Sequence, residues 1–246
     1  MLDNDVTLKK LVTQSLRILK FRNSIYLNNP KAACSTVKIR LVNIENIFGH
    51  TDININNGQE LHDCNLPIFA HSVKDFIRAK SYIFTFVRNP FTRILSTYLD
   101  KMKKNVPEKR YFCHLCGIPN DTQFGFLFFL RNICRFSDIL DNPHWRCQTV
   151  NILHDLMPIN FIGTVENFEN SAQNLSWKNH STGAADKLQE YITEEASSMI
   201  IKKYYRDFYN FNYSFDFSQQ TSLTHPIPTE RNRSSMLRIK KALIQL

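Results

Sequence analysis

The chain has 246 residues, enough for one domain (1–246) with a full core, and 43% of them are hydrophobic. Lysine and arginine (31) outnumber aspartate and glutamate (22), for a net charge of +9. Such a surface attracts nucleic acid, acidic glycan, nucleotide or anionic membrane, but the basic residues are spread out, without the long run of a nucleic-acid-binding arm. No stretch reaches the roughly 18 apolar residues of a membrane span, and six cysteines are too few for a disulfide scaffold.

Met1 to Lys20 is charged and periodic (Leu8, Leu11, Val12, Leu16, Leu19), which predicts an amphipathic helix and not a secretory signal. Ile25-Tyr26-Leu27 reads as a strand. Asn28-Asn29-Pro30 turns the chain, Lys31-Ala32-Ala33-Cys34-Ser35-Thr36 follows, and a helix then carries Val37, Leu41, Ile44 and Phe48 on one face. Strand, tight loop and helix start hold a phosphate well. First-turn amides point out of the helix, the dipole favours an anion, Lys31 adds a charge, and Ser35 and Thr36 add hydroxyls. The plain alternative is a strand-turn-helix with a Ser/Thr cap. Cys34 is a small filler in this loop.

Residues 51–66 are polar and Asn-rich, a surface excursion. His71 then precedes a short helix, Val73 to Ala79. Ser81 to Tyr98 is again strand, polar turn and helix, with Pro90 just inside the helix start. Phe91, Leu95, Tyr98 and Met102 form the buried stripe, and Ser96 falls off it on the side of Arg93. Arg88 at the strand end and Ser96 two turns on are spaced to grip one phosphate.

Lys101, Lys103, Lys104, Lys109 and Arg110 make a solvated helix end or a groove for an acidic glycan. Cys113 and Cys116 form a CxxC with His144 and Cys147 further on, but nothing completes a zinc set, so thiols or one local disulfide are expected and no metal. Thr122 to Phe136 predicts a buried helix from which Arg131 and Arg135 emerge. His144, Trp145 and Gln148 are candidates for holding a substrate, by stacking and by a hydrogen bond, or for anchoring a loop. Asn160 to Glu169 reads as a strand leading into a helix, with Glu166 structural. Thr193 to Phe208 reads as a helix, the aromatic run from Tyr204 to Tyr213 as packing, and residues 231–246 as a basic helix. Strands alternating with helices predict an α/β fold around a central parallel sheet.

Taken together, Pro30-Lys31 to Lys38 and Arg88 to Tyr98 resemble the sulfotransferases that use 3′-phosphoadenosine 5′-phosphosulfate (PAPS), above all the carbohydrate branch with its chondroitin, HNK-1 and heparan sulfate 2-O members and their bacterial relatives. The resemblance runs from about residue 24 to about residue 215, leaving 1–20 and 219–246 as peripheral helical segments. It implies a three-layer, P-loop-like fold, PAPS as donor and a carbohydrate acceptor, with no nucleic acid partner. It places the 5′-phosphosulfate on Lys31 to Thr36 with Lys38 nearby, and the 3′-phosphate on Arg88 and Ser96. Trp177 to Thr182 looks like the loop that covers the nucleotide, with Lys178 and Ser181 in reach of the 3′-phosphate. His71 matches the catalytic base of the heparan sulfate 2-O branch, Lys31 stabilises the leaving phosphate, and His144 is the rival base.

Two departures stand out. Ala33 replaces a common glycine, tolerable only at negative φ, and Asn89 replaces a common aspartate. Because the chain starts with its own methionine, a cytoplasmic bacterial-type protein is expected, the alternative being a Golgi lumenal domain without its anchor. A P-loop nucleotide-binding protein lacks the Gly-x-x-x-x-Gly-Lys loop here. A basic nucleic-acid-binding protein is the other rival, and peripheral contact with an anionic membrane stays open.

Overall fold

A computed structural model describes residues 18–21, 24–47, 82–138, 141–155, 157–167 and 182–219. They gather into two compact units. One holds the described residues up to Phe86 together with 151–163; the other holds 87–150 and the described residues from Thr164 onward.

The first unit is built on a sheet of order β1 (Ile18–Phe21), β2 (Ser24–Leu27), β3 (Tyr82–Val87), β4 (Phe161–Thr164). β2, β3 and β4 form a parallel three-strand open sheet, so the chain is α/β. Ile25 and Tyr26 of β2 lie opposite Ile83 and Phe84 of β3. β1 adds an antiparallel edge, Ile18 opposite Leu27 and Phe21 opposite Ser24. The helix expected over residues 1–20 is therefore wrong at its end: from Ile18 the backbone pairs with β2, and a non-local ladder outweighs local periodicity.

Ile25, Tyr26 and Leu27 are all buried, the continuous apolar run of a strand covered on both faces. Helix α1 (Cys34–Ile47) lays Val37 and Leu41 against Tyr26, Phe84 and Phe86. Ile44, expected on that face, is 38% exposed, and Phe48 lies outside the described residues. In β4 a Cβ on Gly163 would sit 2.5 Å from Cε1 of Phe86, so only glycine lets that ring lie where it does.

The second unit is mainly helical. Helix α2 (Pro90–Thr97) runs into one π-helical turn, Tyr98–Met102. Helix α3 (Pro107–Cys116) ends at Gly117 in the left-handed conformation, φ 67°. Helices α4 (Phe126–Ile133), α5 (Gln148–Asn151, whose last residue is in the first unit), α6 (Leu188–Tyr191) and α7 (Glu194–Phe211) follow. The helix expected from Thr122 begins only at Phe126, after Gly125, and Phe128 is 39% exposed. α7 starts where the Thr193 hydroxyl accepts the Ala196 amide.

All eight residues of α2 are buried, not only the predicted stripe. Phe112, Phe129 and Trp145 form a T-shaped aromatic core. The described cysteines are free thiols, and burial raises the Cys113 and Cys116 thiols above their ordinary value. Among the described residues no three His, Cys, Asp or Glu side chains converge as a metal site, and no helix is long and apolar enough to cross a membrane.

Candidate functional site

The first candidate element is the loop between β2 and α1. Asn29, fully buried, donates its amide to the Phe86 carbonyl (3.0 Å), and its Oδ1 accepts from Asn151 (3.3 Å). The Thr85 hydroxyl donates to the Leu27 carbonyl (2.8 Å), closing the strand end. Beyond that anchor Lys31 and Ala33 take positive φ, 66° and 54°, on either side of Ala32. Ala33 thus does not meet the condition of negative φ under which alanine replaces glycine without strain. φ changes sign from one residue to the next, the backbone alternation found in anion nests, although the Ala32 amide itself is bonded to the Asn29 carbonyl (3.3 Å).

The Ala33 carbonyl accepts the first helical bond, from the Val37 amide (3.0 Å), so the loop leads directly into the N-terminus of α1, an end that favours an anion. Lys31, Cys34, Ser35 and Thr36 are part-exposed, Ala32 and Lys38 buried. Backbone polarity and one lysine are what this loop offers an oxyanion.

The second element is the turn from β3 into α2. Gln148 is fully buried and brackets Arg88: its Oε1 accepts the Arg88 amide (2.9 Å) and its Nε2 donates to the Arg88 carbonyl (2.7 Å). One residue on, Glu166 accepts the Asn89 amide (2.8 Å) and the Tyr213 hydroxyl (2.9 Å). Asn89 caps α2 by accepting the Phe91 amide (2.9 Å), so asparagine does here what aspartate would. The Arg88 Nε donates to the Thr92 hydroxyl (3.1 Å). Its two Nη groups make no hydrogen bond to a described residue, though the Arg88 charge favours the ionised Glu166 carboxylate, and they present the fork that fits two oxyanion oxygens. Ser96 is buried and accepts from the Thr182 hydroxyl (3.1 Å), so it is not on an outer face as its spacing suggested.

The third element is the segment 141–148. Arg93, off the buried stripe read from the sequence, is itself buried and donates to the Arg146 carbonyl (2.8 Å) and the Pro143 carbonyl (2.9 Å). The Thr97 hydroxyl donates to the His144 carbonyl (2.7 Å). Asp207 on α7 accepts the amides of Gln148 and Thr149 and the Thr149 hydroxyl, all within 2.8 Å. Burial raises the Asp207 carboxyl, and those bonds and Arg93 draw it back. Burial lowers Arg93, and Asp207 opposes that. Burial likewise raises Glu166.

Trp145 is fully buried with its indole N–H on Asp141 (3.0 Å). Trp145 and Gln148 are therefore corrected from substrate contacts to supports: the ring has no open face, and the amide is spent on Arg88. His144 keeps a quarter of its side chain exposed. The basic stretch is largely committed. Lys101 pairs with Glu108 (3.3 Å), Lys104 with Asp100 (3.0 Å), Lys103 bonds Tyr191, and Lys109 is buried. That undercuts the glycan groove drawn from it.

His71, Lys178 and Ser181 lie outside the described residues. The sequence reading missed Thr92, gave Thr182 no role of its own in the 177–182 loop, and took Asp207 only as part of a packed run. Of these Asp207 left a signal: it sits on the buried stripe of α7 with Tyr204, Phe208 and Phe211, and an acid on an apolar face is one that needs partners.

Compared with known proteins, residues 15–178 match the model described as the sulfotransferase family. No curated protein and no solved structure matches the chain.

Proposed function

Since the chain belongs to the sulfotransferase family, we propose that it moves the sulfuryl group of PAPS onto a carbohydrate hydroxyl by in-line displacement. What supports this most is Arg88, whose backbone is bracketed on both sides by Gln148 and whose two Nη groups make no hydrogen bond to a described residue. A guanidinium fixed in that way suits the donor's 3′-phosphate, for which the family resemblance also implies Ser96 and Ser181. The nest at Lys31 to Thr36 suits the 5′-phosphate. Lys31 answers the negative charge that grows on that phosphate as the sulfur leaves, and pre-placed charge of this kind is usually the largest single contribution to such a transfer. A histidine, His71 or His144, takes the acceptor's proton. Lysine and amides do the neutralising that a metal would do elsewhere.

The test is transfer of label from radiolabelled PAPS to unsulfated chondroitin, heparosan and simple methyl glycosides. Label in any of these, lost in Lys31→Ala, supports the reading. Donor consumption with label in none of them overturns its carbohydrate half, and no donor consumption overturns the whole.

A further inference from the structure

Helix α7 buries Ala196, Ile200, Tyr204, Asp207, Phe208 and Phe211. Tyr204 leaves helical geometry (φ −103°, ψ 21°), yet the buried stripe continues through it, so an outer face also runs the length of the helix. That face carries Glu194, Ser198, Lys202, Tyr205, Arg206 and Tyr209, all exposed. Its two ends differ in shape. At the C-terminal end Tyr209 is 75% exposed, Tyr205 54% and Phe215 46%. The Tyr205 ring stacks with Tyr209 (6.3 Å, 17°) and with Phe215 (5.9 Å, 11°), and Phe208 backs Phe215. The result is a projecting aromatic stack. At the N-terminal end is an open pocket of about 600 Å³, lined by Ile192, Glu194, Ser198, Ile201 and Phe217 among others. The ends also differ in charge. Glu195 is held by Arg131 (2.9 Å), so the acid of this face is Glu194, while Lys202 and Arg206 stand two and three turns further on.

A face with a projection at one end and a pocket at the other, basic at the first and acidic at the second, is complementary to itself turned end over end. We propose that this face of α7 is a two-fold interface between two copies of the chain. An axis near Ile201 sets Tyr205 opposite the partner's Ser197, and Tyr209 between the partner's Ile192 and Glu194. The aromatic stack of each copy then enters the pocket of the other, and the rings leave water. The partner's Glu194 falls within one turn of Arg206, so unlike charges meet twice per dimer. A parallel pairing would set Glu194 against its own copy, and charge therefore selects the antiparallel one. The interface stands apart from the sulfotransferase reading and does not depend on it.

The experiment is sedimentation of the full chain between roughly 1 and 100 µM, with circular dichroism on every variant as the check on fold. The parent sediments as a dimer. Tyr209→Glu carries a charge into the pocket and Ser198→Trp fills it, and each raises the dimer Kd at least roughly tenfold. Arg206→Glu also weakens the dimer. Adding Glu194→Arg to the same chain restores it, because the pair is then only reversed. Ile201→Cys, oxidised with copper phenanthroline, gives a dimer that peptide mapping shows to be linked through position 201. Tyr209→Cys gives no such link, since eight residues on either side of the axis hold the two copies of position 209 about 24 Å apart.

A parent that stays monomeric throughout that range overturns the proposal. So does a dimer that Tyr209→Glu and Ser198→Trp both leave intact, since the copies would then meet elsewhere. Linkage through Tyr209→Cys and not through Ile201→Cys overturns it as well, because the helices would then lie side by side in one direction. A double charge exchange that fails to recover what Arg206→Glu loses overturns the end-over-end pairing on which the proposal rests.

Discussion

The loop after β2 and the turn after β3 both follow a strand and open a helix, yet they are held in different ways. The first takes its shape from the backbone: two residues at positive φ, an alanine among them, and a few bonds through Asn29. The second takes its shape from side chains far along the chain, Gln148, Glu166 and Asp207, which converge on Arg88, Asn89 and the segment behind them. The difference teaches a division of labour. A loop that offers amides needs the right dihedrals. A turn that offers a guanidinium needs its backbone gripped, because the side chain has many rotamers to lose.

That contrast predicts unequal responses to substitution. The largest is at Arg93. Arg93→Met leaves two carbonyls and the Asp207 carboxylate without their buried partner and should cost about 3–5 kcal/mol, read as a lower urea midpoint or failure to fold. An effect under about 1 kcal/mol would mean that the turn is not held from behind as described.

Next comes a pH effect at Asp141, which lies under the same segment with Trp145 on one oxygen and Lys203 Nζ 2.7 Å from the other. Burial pushes this carboxyl up to about 6 against the attraction of Lys203. Its folded pKa thus lies above its unfolded value, so between about pH 4 and pH 6 the folded state binds more protons. Stability from this group is fully present at the acid end and falls as pH rises through that window, by up to about 3 kcal/mol. Asp141→Asn should flatten that part of the stability curve, whatever it does to the absolute level. A wild-type curve with the same slope as the variant's would contradict it.

Smaller is Gln148→Leu, which leaves both sides of the Arg88 peptide unbonded at a cost of about 1–3 kcal/mol. It should weaken nucleotide binding while leaving Lys31-dependent binding in place; equal binding by parent and variant would break the comparison. Smallest is Ala33→Gly. Relief of a left-handed alanine gains roughly 1–2 kcal/mol, and the looser unfolded chain returns roughly 0.5–1. The net expectation is a rise in melting temperature of a few degrees. A fall would mean that Ala33 is not strained.

Much of this arrangement is local and could be read from the chain. Lys31 to Thr36 behind a buried strand, and Pro90 at a helix start after Arg88, are spacing signals that need only neighbours a few residues away. The parts that were misread depend on distant partners. Ile18–Phe21 became a strand because β2 offers an edge. Arg93 and Ser96 went inside because the 143–146 carbonyls and Thr182 cover them. Gln148 looked like a substrate contact because nothing near it in sequence tells of Arg88, sixty residues away. Trp145 was legible as an aromatic anchor, but the rings that pack on it, Tyr111, Phe112 and Phe129, come from other parts of the chain.

The most direct test of the account is a calorimetric titration of 3′-phosphoadenosine 5′-phosphate and of AMP into the wild-type protein and into Arg88→Ala. If Arg88 is the clamp for a 3′-phosphate, the bisphosphate binds in the micromolar range, AMP binds at least roughly tenfold more weakly, and Arg88→Ala brings the bisphosphate down to the level of AMP. Equal binding of the two nucleotides, or a bisphosphate affinity that ignores the substitution, would contradict it.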